Sequence, residues 1–150
     1  MENLLIRKAE RQDLPVIMEL LKELDLEGDE AMSLEEVHRL FNRISQYPDY
    51  HIYLATKGGE PVGTYALLIM DKLEHGGVPS GIVDSVAVAS DRRGKGIGKA
   101  LMQHAKDTCQ EKGCYKIMLS SNKTRTDAHR FYEALGYEQH GISYSLNITE

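Results

Sequence analysis

Residues 92–101 read RRGKGIGKAL, with three glycines at every second position and basic residues on both sides. Gly94, Gly96 and Gly98 are too closely spaced for an ordinary helix interior, where each glycine costs about 1 kcal/mol relative to alanine. A requirement of the backbone or of a ligand must compensate for that cost. The predicted elements on either side of the glycines indicate which requirement applies.

The glycines lie between a predicted strand and a predicted helix. Residues 81–90, GIVDSVAVAS, form a nearly continuous β-branched run, which is typical of a strand buried on both faces. After the glycines, apolar residues recur on one helical face, and Gly113 follows where a left-handed residue ends a helix. That face consists of Ile97, Leu101, Ala105 and Thr108 or Cys109.

A strand and two helices are predicted before this unit. Residues 3–10 suit a first strand, and Asp13 can cap a helix whose apolar residues fall at helical spacing. Ser33 and Glu36 form a capping box, so we predict a second helix over residues 33–46. Its apolar stripe consists of Leu34, Val37, Leu40, Phe41 and Ile44.

Further strands are predicted in the middle and at the end of the chain. Residues 51–70 contain two β-rich runs separated by Gly58 and Gly59, the pattern of a hairpin. Later, the sequence predicts a strand, a helix ended by Gly136, and a closing strand, over residues 115–121, 127–136 and 140–148. The fold class is mixed α/β, in a single domain over residues 1–150.

Length and charge exclude several classes of function. A chain of 150 residues fits one domain and buries roughly 70% of the surface that its unfolded form exposes. The net charge of -5 argues against general nucleic-acid binding and against a membrane-surface protein. No apolar run approaches the roughly 18 residues of a membrane helix, and no secretory signal begins the chain. We therefore expect a cytoplasmic protein, with a homodimer as one possible assembly.

The two cysteines do not indicate a metal or redox site. Four residues separate Cys109 from Cys114, which matches neither a CxxC pair nor half of a zinc site. No HExxH motif or cluster of histidines supplies other ligands. We expect two reduced, buried thiols and no metal.

The order of strand, glycines and helix predicts a cradle for an anion. Glycines allow consecutive N–H groups to point inward, and the helix N-terminus adds about half a positive charge. Basic residues surround the glycines, namely Arg92, Arg93, Lys95 and Lys99. Phosphate binding explains them, whereas the alternative, tight packing of the strand on the helix, does not.

Two familiar phosphate loops do not fit the spacing. A Walker A loop has four residues between its glycine and the Gly-Lys pair, but three separate Gly94 from Gly98. The Ser or Thr that should come next is Ala100. A Rossmann fingerprint needs a glycine three residues after Gly96, where Lys99 stands.

The motif Arg/Gln-x-x-Gly-x-Gly does fit, with Arg93, Gly96 and Gly98 in its fixed positions. A second motif, AHRFYEALGY, follows at residues 128–137. With both motifs, the chain from about residue 51 to its end resembles the GNAT superfamily of acyl-CoA-dependent N-acetyltransferases. The resemblance implies a central, mostly antiparallel sheet with a splayed pair of strands and helices on both faces.

The resemblance also implies acetyl-CoA as cosubstrate. In the family the loop binds the pyrophosphate, with Arg93 as a charged partner here. The N–H donors would come from Gly94, Gly96, Gly98 and Lys99, with Lys95 in the same loop. The pantetheine arm would lie along the splayed strand, at Val86 and Val88. The asparagine common in relatives is replaced by Arg125, so the nearby Asn122 is the candidate for that contact.

The family reaction is direct attack of a free amine on the thioester carbonyl. A backbone N–H aimed at the carbonyl oxygen supplies on the order of 3 kcal/mol in a dry site, and we assign it to Val86. The departing thiolate has an ordinary pKa near 8.5, so a proton donor eases its departure. Tyr132 matches the tyrosine that has this role in many relatives, while Phe131 is the expected core residue.

Asp84 is a candidate base or anchor for the amine. Strand alternation predicts that it shares a face with Val86, near the carbonyl. A carboxylate satisfied by nearby donors or solvent is the alternative. Other residues suit either an amine pocket or solvated loops, namely Asp71, Glu74, His75, Asp29 and Glu30.

The acceptor is predicted only as a small-molecule primary amine. Residues 113–121 resemble glucosamine-phosphate acetyltransferases, but the same letters suit many small-molecule members because they form a core strand. The alternative from another class is a regulatory module that binds acyl-CoA without turnover. Tyr132 favours the enzyme.

Overall fold

The computed structural model describes residues 3–24 and 31–149. The chain divides into two compact units, residues 1–118 and residues 119–150. The strands of the first unit are β1 (Leu4–Lys8), β2 (Tyr50–Lys57), β3 (Glu60–Met70), β4 (Ser80–Val88) and β5 (Ile117–Met118). Its helices are α1 (Leu14–Leu21), α2 (Leu34–Ile44) and α3 (Ile97–Glu111), and the second unit contains α4 (Thr126–Ala134).

The five strands form one sheet in the order β1-β2-β3-β4-β5. The first three neighbouring pairs are antiparallel, and only β4 and β5 are parallel. Gly58 and Gly59 connect β2 to β3 as a two-residue turn with φ of 58° and 85°. Such a turn needs two left-handed residues, which explains the glycines and confirms the predicted hairpin.

The parallel pairing between β4 and β5 is short. It joins Gly81 to Ile117 and Ile82 to Met118, and it stops there. From Val83 to Val88, no described strand pairs with the outer edge of β4. The splayed strand pair implied by the resemblance is therefore present, and β5 is shorter than the strand predicted over residues 115–121.

Helices α1 and α3 cover opposite faces of the sheet. At Gly63, a side-chain carbon would stand 3.2 Å from atoms of α3, so this position faces α3. Leu54 packs against α1 through Ile17 and Leu20. Gly63 pairs with Ala55, so these two residues share the face that meets α3. Leu54 is the neighbour of Ala55 in β2 and therefore points to the opposite face, where α1 lies.

The helix ends agree with the sequence except at α1. The capping box of α2 forms between Ser33 and Glu36, and left-handed glycines follow α3 and α4. Asp13 does not cap α1: its carboxylate accepts hydrogen bonds from Arg7 Nη1 at 2.7 Å and from the Glu10 N–H at 2.7 Å. The bond from Arg7 lowers the pKa of Asp13.

Two predictions about strands were wrong. Strand β4 is not buried along both faces, because Asp84 is exposed although Ala87, which lies on the same face, is buried. The closing strand over residues 140–148 is absent, although its apolar residues alternate. Those side chains are 80–92% exposed, at Ile142, Tyr144, Leu146 and Ile148. A strand needs partners for its N–H and C=O groups, and alternation does not provide them.

Aromatic rings enclose a histidine between the sheet and α3. Tyr65 Oη lies 2.6 Å from Nδ1 of His104, and the Tyr53 ring stacks on Tyr65 with 5.1 Å between centroids. Burial lowers the pKa of His104, and the charges of Asp107 and Glu111 oppose this only in part. His104 is therefore held in its neutral form.

We expect acid to destabilise the protein through His104. Because its pKa is lowered in the folded state, the unfolded chain binds a proton near the ordinary pKa of about 6.5 that the folded chain does not bind. The free energy of unfolding should then fall as the pH decreases from about 7.5 to about 5.5. In urea titrations, His104→Asn should flatten this dependence, with part retained because burial also lowers the pKa of His51. Equal slopes for both proteins would contradict the assignment.

Candidate active site

The glycine loop connects the end of β4 to α3. A single turn of 3-10 helix, Ser90–Arg92, follows β4, and Gly94 and Gly96 then adopt φ of 75° and 83°. Both angles lie in the left-handed region that favours glycine. Gly96 is the N-cap of α3, and Gly98 is already the second residue of the helix.

The start of α3 leaves N–H groups without helical acceptors. The first bond of the helix runs from the Ala100 N–H to the Gly96 carbonyl at 3.0 Å. The N–H groups of Ile97, Gly98 and Lys99 therefore precede the regular helix ladder. Together with the helix dipole, they can bind an anion.

The basic residues of the loop fall into two groups. Arg92 forms an ion pair with Glu60 at 2.5 Å, and Arg93 forms one with Glu23 at 3.0 Å. Lys95 and Lys99 are exposed, and neither has an ion pair with a residue described here. The lysines therefore leave positive charge available at the loop.

A β-bulge lies in β4 three residues beyond the end of the parallel pairing. Ala66 pairs with Asp84 and Thr64 pairs with Ala87, so two residues of β4 oppose the single residue Tyr65. One of the two is Ser85, with a left-handed φ of 54°, and its N–H donates to the Asp84 carboxylate at 2.8 Å. Bulges re-aim the backbone beside functional sites.

The bulge corrects the predicted relation between Asp84 and Val86. Regular alternation would place both on one face, but the extra residue interrupts it. The register instead puts Asp84 and Ala87 on one face, because their partners Ala66 and Thr64 share a face. Val86 and Val88 are half-buried on the part of β4 whose outer edge pairs with none of the described strands.

Tyr50 on β2 and Asp84 on β4 share a region of the sheet, with β3 between them, and the sequence did not reveal this. The pKa of Tyr50 is raised by burial and by the negative charge of Asp84. Its ring also meets that of Tyr47 edge-on, with 5.4 Å between centroids. A carboxylate and an aromatic ring in one region of the sheet suit the binding of an ammonium group.

The other residues suggested for an amine pocket do not lie near Val86. Asp71, Glu74 and His75 follow β3, beside the first residue of β4, and Val86 lies about 20 Å along the strand from there. Glu74 lies 3.6 Å from Lys72, and the His75 ring packs on Tyr115. Asp29 and Glu30 lie outside the described residues.

In the second unit, Tyr132 is half-buried on α4. Its ring contacts Phe131 and Tyr137, with centroids 5.1 Å and 6.0 Å away. Burial raises the pKa of Tyr132, while the charge of Arg125 opposes this. The phenol therefore keeps its proton at neutral pH, as a proton donor must.

Asn122 organises the turn before α4. Its side-chain oxygen accepts bonds from the Thr124 N–H and hydroxyl, at 3.0 Å and 2.8 Å. Its carbonyl lies 2.8 Å from Nε2 of His129 and accepts the N–H of Arg125 at 3.0 Å. The turn is thus held mainly by local bonds, and a contact of Asn122 with CoA stays a prediction.

Within residues 3–24 and 31–149, no three His, Cys, Asp or Glu side chains are grouped to hold a metal ion. None of the helices in that part of the chain combines the length and the apolar character needed to cross a membrane. Both cysteines are free thiols, but only Cys109 is buried, and Cys114 is half-buried. Burial raises the pKa of Cys109 to about 12.

Comparisons with known proteins identify relatives of the chain. It is 31% identical over 147 residues to a glucosamine 6-phosphate N-acetyltransferase from Trypanosoma brucei brucei, with 95% of each chain covered. It is 36% identical over 92 residues to an aminoalkylphosphonate N-acetyltransferase from Salmonella typhimurium, which covers 61% of this chain and 59% of that protein.

The fold agrees with these relatives. The crystal structure of glucosamine-6-phosphate N-acetyltransferase from Arabidopsis thaliana matches with a TM-score of 0.83 and 30% identity, over 99% of this chain and 100% of that one. The profile of the Acetyltransferase (GNAT) family matches residues 15–137. With its splayed strands and glycine loop, this chain belongs to the GNAT family and is an N-acetyltransferase.

Proposed function

We propose that the protein transfers the acetyl group of acetyl-CoA to the primary amine of a small phosphorylated or phosphonylated molecule, by direct attack on the thioester. The observation that supports acetyl-CoA as the cosubstrate is the outer edge of β4, which pairs with no described strand beyond Ile82. This edge leads to the glycine loop and the N-terminus of α3. The acceptor class is supported by two relatives, because glucosamine 6-phosphate and aminoalkylphosphonates share an amine and a phosphorus oxyanion.

We propose further that both compact units act as one cytoplasmic acetyltransferase domain over residues 1–150. The family match spans both units, which supports a single functional domain. Relatives named as enzymes over nearly the whole chain favour catalysis over a module that only binds acyl-CoA. A homodimer remains a hypothesis.

In this proposal the loop holds the pyrophosphate and β4 holds the pantetheine arm. N–H groups at Gly94, Gly96, Gly98 and Lys99 would donate to the phosphates, with Lys95 and Arg93 supplying positive charge. The unpaired backbone at Val86 and Val88 would bind the pantetheine amides as a neighbouring strand does. Asn122 is the proposed further contact to the arm from the second unit.

We assign the chemical step to Val86, Tyr132 and Asp84. The Val86 N–H, in the bulge itself, would stabilise the negative charge on the thioester oxygen by on the order of 3 kcal/mol. As the new amide bond forms and the carbon–sulfur bond breaks, Tyr132 would protonate the departing thiolate. Asp84, with Tyr50, would anchor the acceptor amine or remove its proton.

Gly96→Val should weaken acetyl-CoA binding at least about 10-fold in calorimetry, because a β-branched residue strains the left-handed backbone and crowds the cradle. Gly113→Val is the matched control. Gly113 has a similar φ of 75° at the other end of α3, with open space around it. Retained affinity in a folded Gly96 variant would count against the cradle.

Tyr132→Phe should slow acetyl transfer by about 100-fold without weakening acetyl-CoA binding, because it removes only the proton donor. The slowing should shrink for an acyl donor whose thiol is more acidic. Tyr137→Phe, which changes the neighbouring ring in the same way, should have little effect on the rate. An unchanged rate in the Tyr132 variant, measured where chemistry limits turnover, would remove this residue from the mechanism.

The acceptor class can be tested with matched pairs of amines. Glucosamine 6-phosphate should be a better acceptor than glucosamine, or 2-aminoethylphosphonate better than propylamine, by at least about 10-fold in kcat/KM. Released thiol reports the reaction. If neither phosphorus-containing amine is preferred, the acceptor class is wrong, although another amine that releases thiol would leave the acetyltransferase activity in place.

A further inference from the structure

The ion pair between Glu23 and Arg93 joins parts of the chain that are 70 residues apart. Arg93 Nη2 donates to Oε2 of Glu23 at 3.0 Å. The Glu23 side chain is only 28% exposed, whereas that of Arg93 is 59% exposed. The glutamate is thus the fixed partner and the arginine is the one that reaches into solvent.

Glu23 stands on a turn that continues a packed helix. It lies in the single turn of 3-10 helix, Lys22–Leu24, that directly follows α1. Helix α1 is anchored on the sheet by the buried residues Ile17 and Leu20, and the turn itself contacts β4. A side chain on this turn can therefore hold a partner at a defined place beside the end of β4.

The ion pair leaves Arg93 able to bind a second anion. A guanidinium group carries five N–H donors in a fixed plane, and the bond to Glu23 uses only one of them. The others, on a largely exposed side chain, remain available to a phosphate. An arginine that is already held also loses less side-chain freedom when a ligand binds.

We propose that Glu23 is a positioning residue for the cosubstrate: it holds the Arg93 guanidinium beside the glycine loop so that the arginine is preorganised for the pyrophosphate of acetyl-CoA. This inference rests on the proposed use of acetyl-CoA. The opposite effect would be a latch, in which the carboxylate competes with phosphate for Arg93 and lowers the affinity. The two effects predict opposite changes when Glu23 is replaced.

The test measures the affinity of five variants for acetyl-CoA by calorimetry. Glu23→Ala should weaken binding about 5-fold, and Glu23→Gln, which keeps an oxygen acceptor, should restore most of it. In an Arg93→Ala background, Glu23→Ala should have no further effect, because the residue acts through Arg93. Glu19→Ala is the control, since Glu19 pairs with Lys22 on the exposed side of the same segment.

Two further measurements separate positioning from damage to the fold. Acetyl-pantetheine, which lacks the pyrophosphate, should bind the wild-type protein and Glu23→Ala equally. With an identified acceptor amine, Glu23→Ala should raise the KM for acetyl-CoA and leave kcat unchanged, as expected when only binding is lost. Equal weakening for both ligands would indicate a structural defect and overturn the inference.

The outcomes also distinguish this inference from the proposed function. If wild-type protein does not bind acetyl-CoA, both fail. If it binds and Arg93→Ala weakens binding but Glu23→Ala does not, only the role of Glu23 fails. Tighter binding of acetyl-CoA by both Glu23 variants would indicate that Glu23 competes with phosphate for Arg93. That result would overturn the positioning role. A Glu23→Ala effect that persists in the Arg93→Ala background would likewise overturn the proposal.

Discussion

The early end of the pairing between β4 and β5 is the constraint on which the site depends. After Ile82, the outer edge of β4 carries backbone groups that no described strand satisfies. Buried N–H and C=O groups require partners, so such an edge suits an extended ligand with amide groups of its own. The glycine loop, where we propose the anion cradle, follows the end of the same edge, so the two parts of the proposed cosubstrate site lie along one direction.

The bulge at Ser85 interrupts the alternation of side chains along β4. Before it, the register follows simple alternation, and after it Ala87 and Val88 return to regular pairing with β3. The strained Ser85 and the next residue, Val86, form the bulge. Val86 begins the part of the strand that we assign to the thioester. Backbone strain of this kind persists only when the surrounding sheet enforces it, and it is concentrated at functional sites.

Local signals in the sequence were reliable where chemistry restricts the residue. Gly58 and Gly59 predicted their turn, Ser33 and Glu36 predicted the start of α2, and the glycine motif predicted a loop before α3. Features that depend on distant partners were not readable. A serine gives no sign of left-handed geometry, the ion pair of Glu23 crosses the chain, and the alternation over residues 140–148 says nothing about whether a neighbouring strand exists.

The unpaired edge of β4 also affects how the protein behaves between catalytic cycles. An open strand edge is a template for strands of other molecules, and proteins usually block such edges to avoid aggregation. In the proposed complex, acetyl-CoA covers this edge, so each release of CoA uncovers it. In this proposal acetyl-CoA would protect solubility as well as supply acetyl groups. A ligand that binds only the folded chain also adds to its stability, so the concentration of acetyl-CoA would set part of the apparent stability.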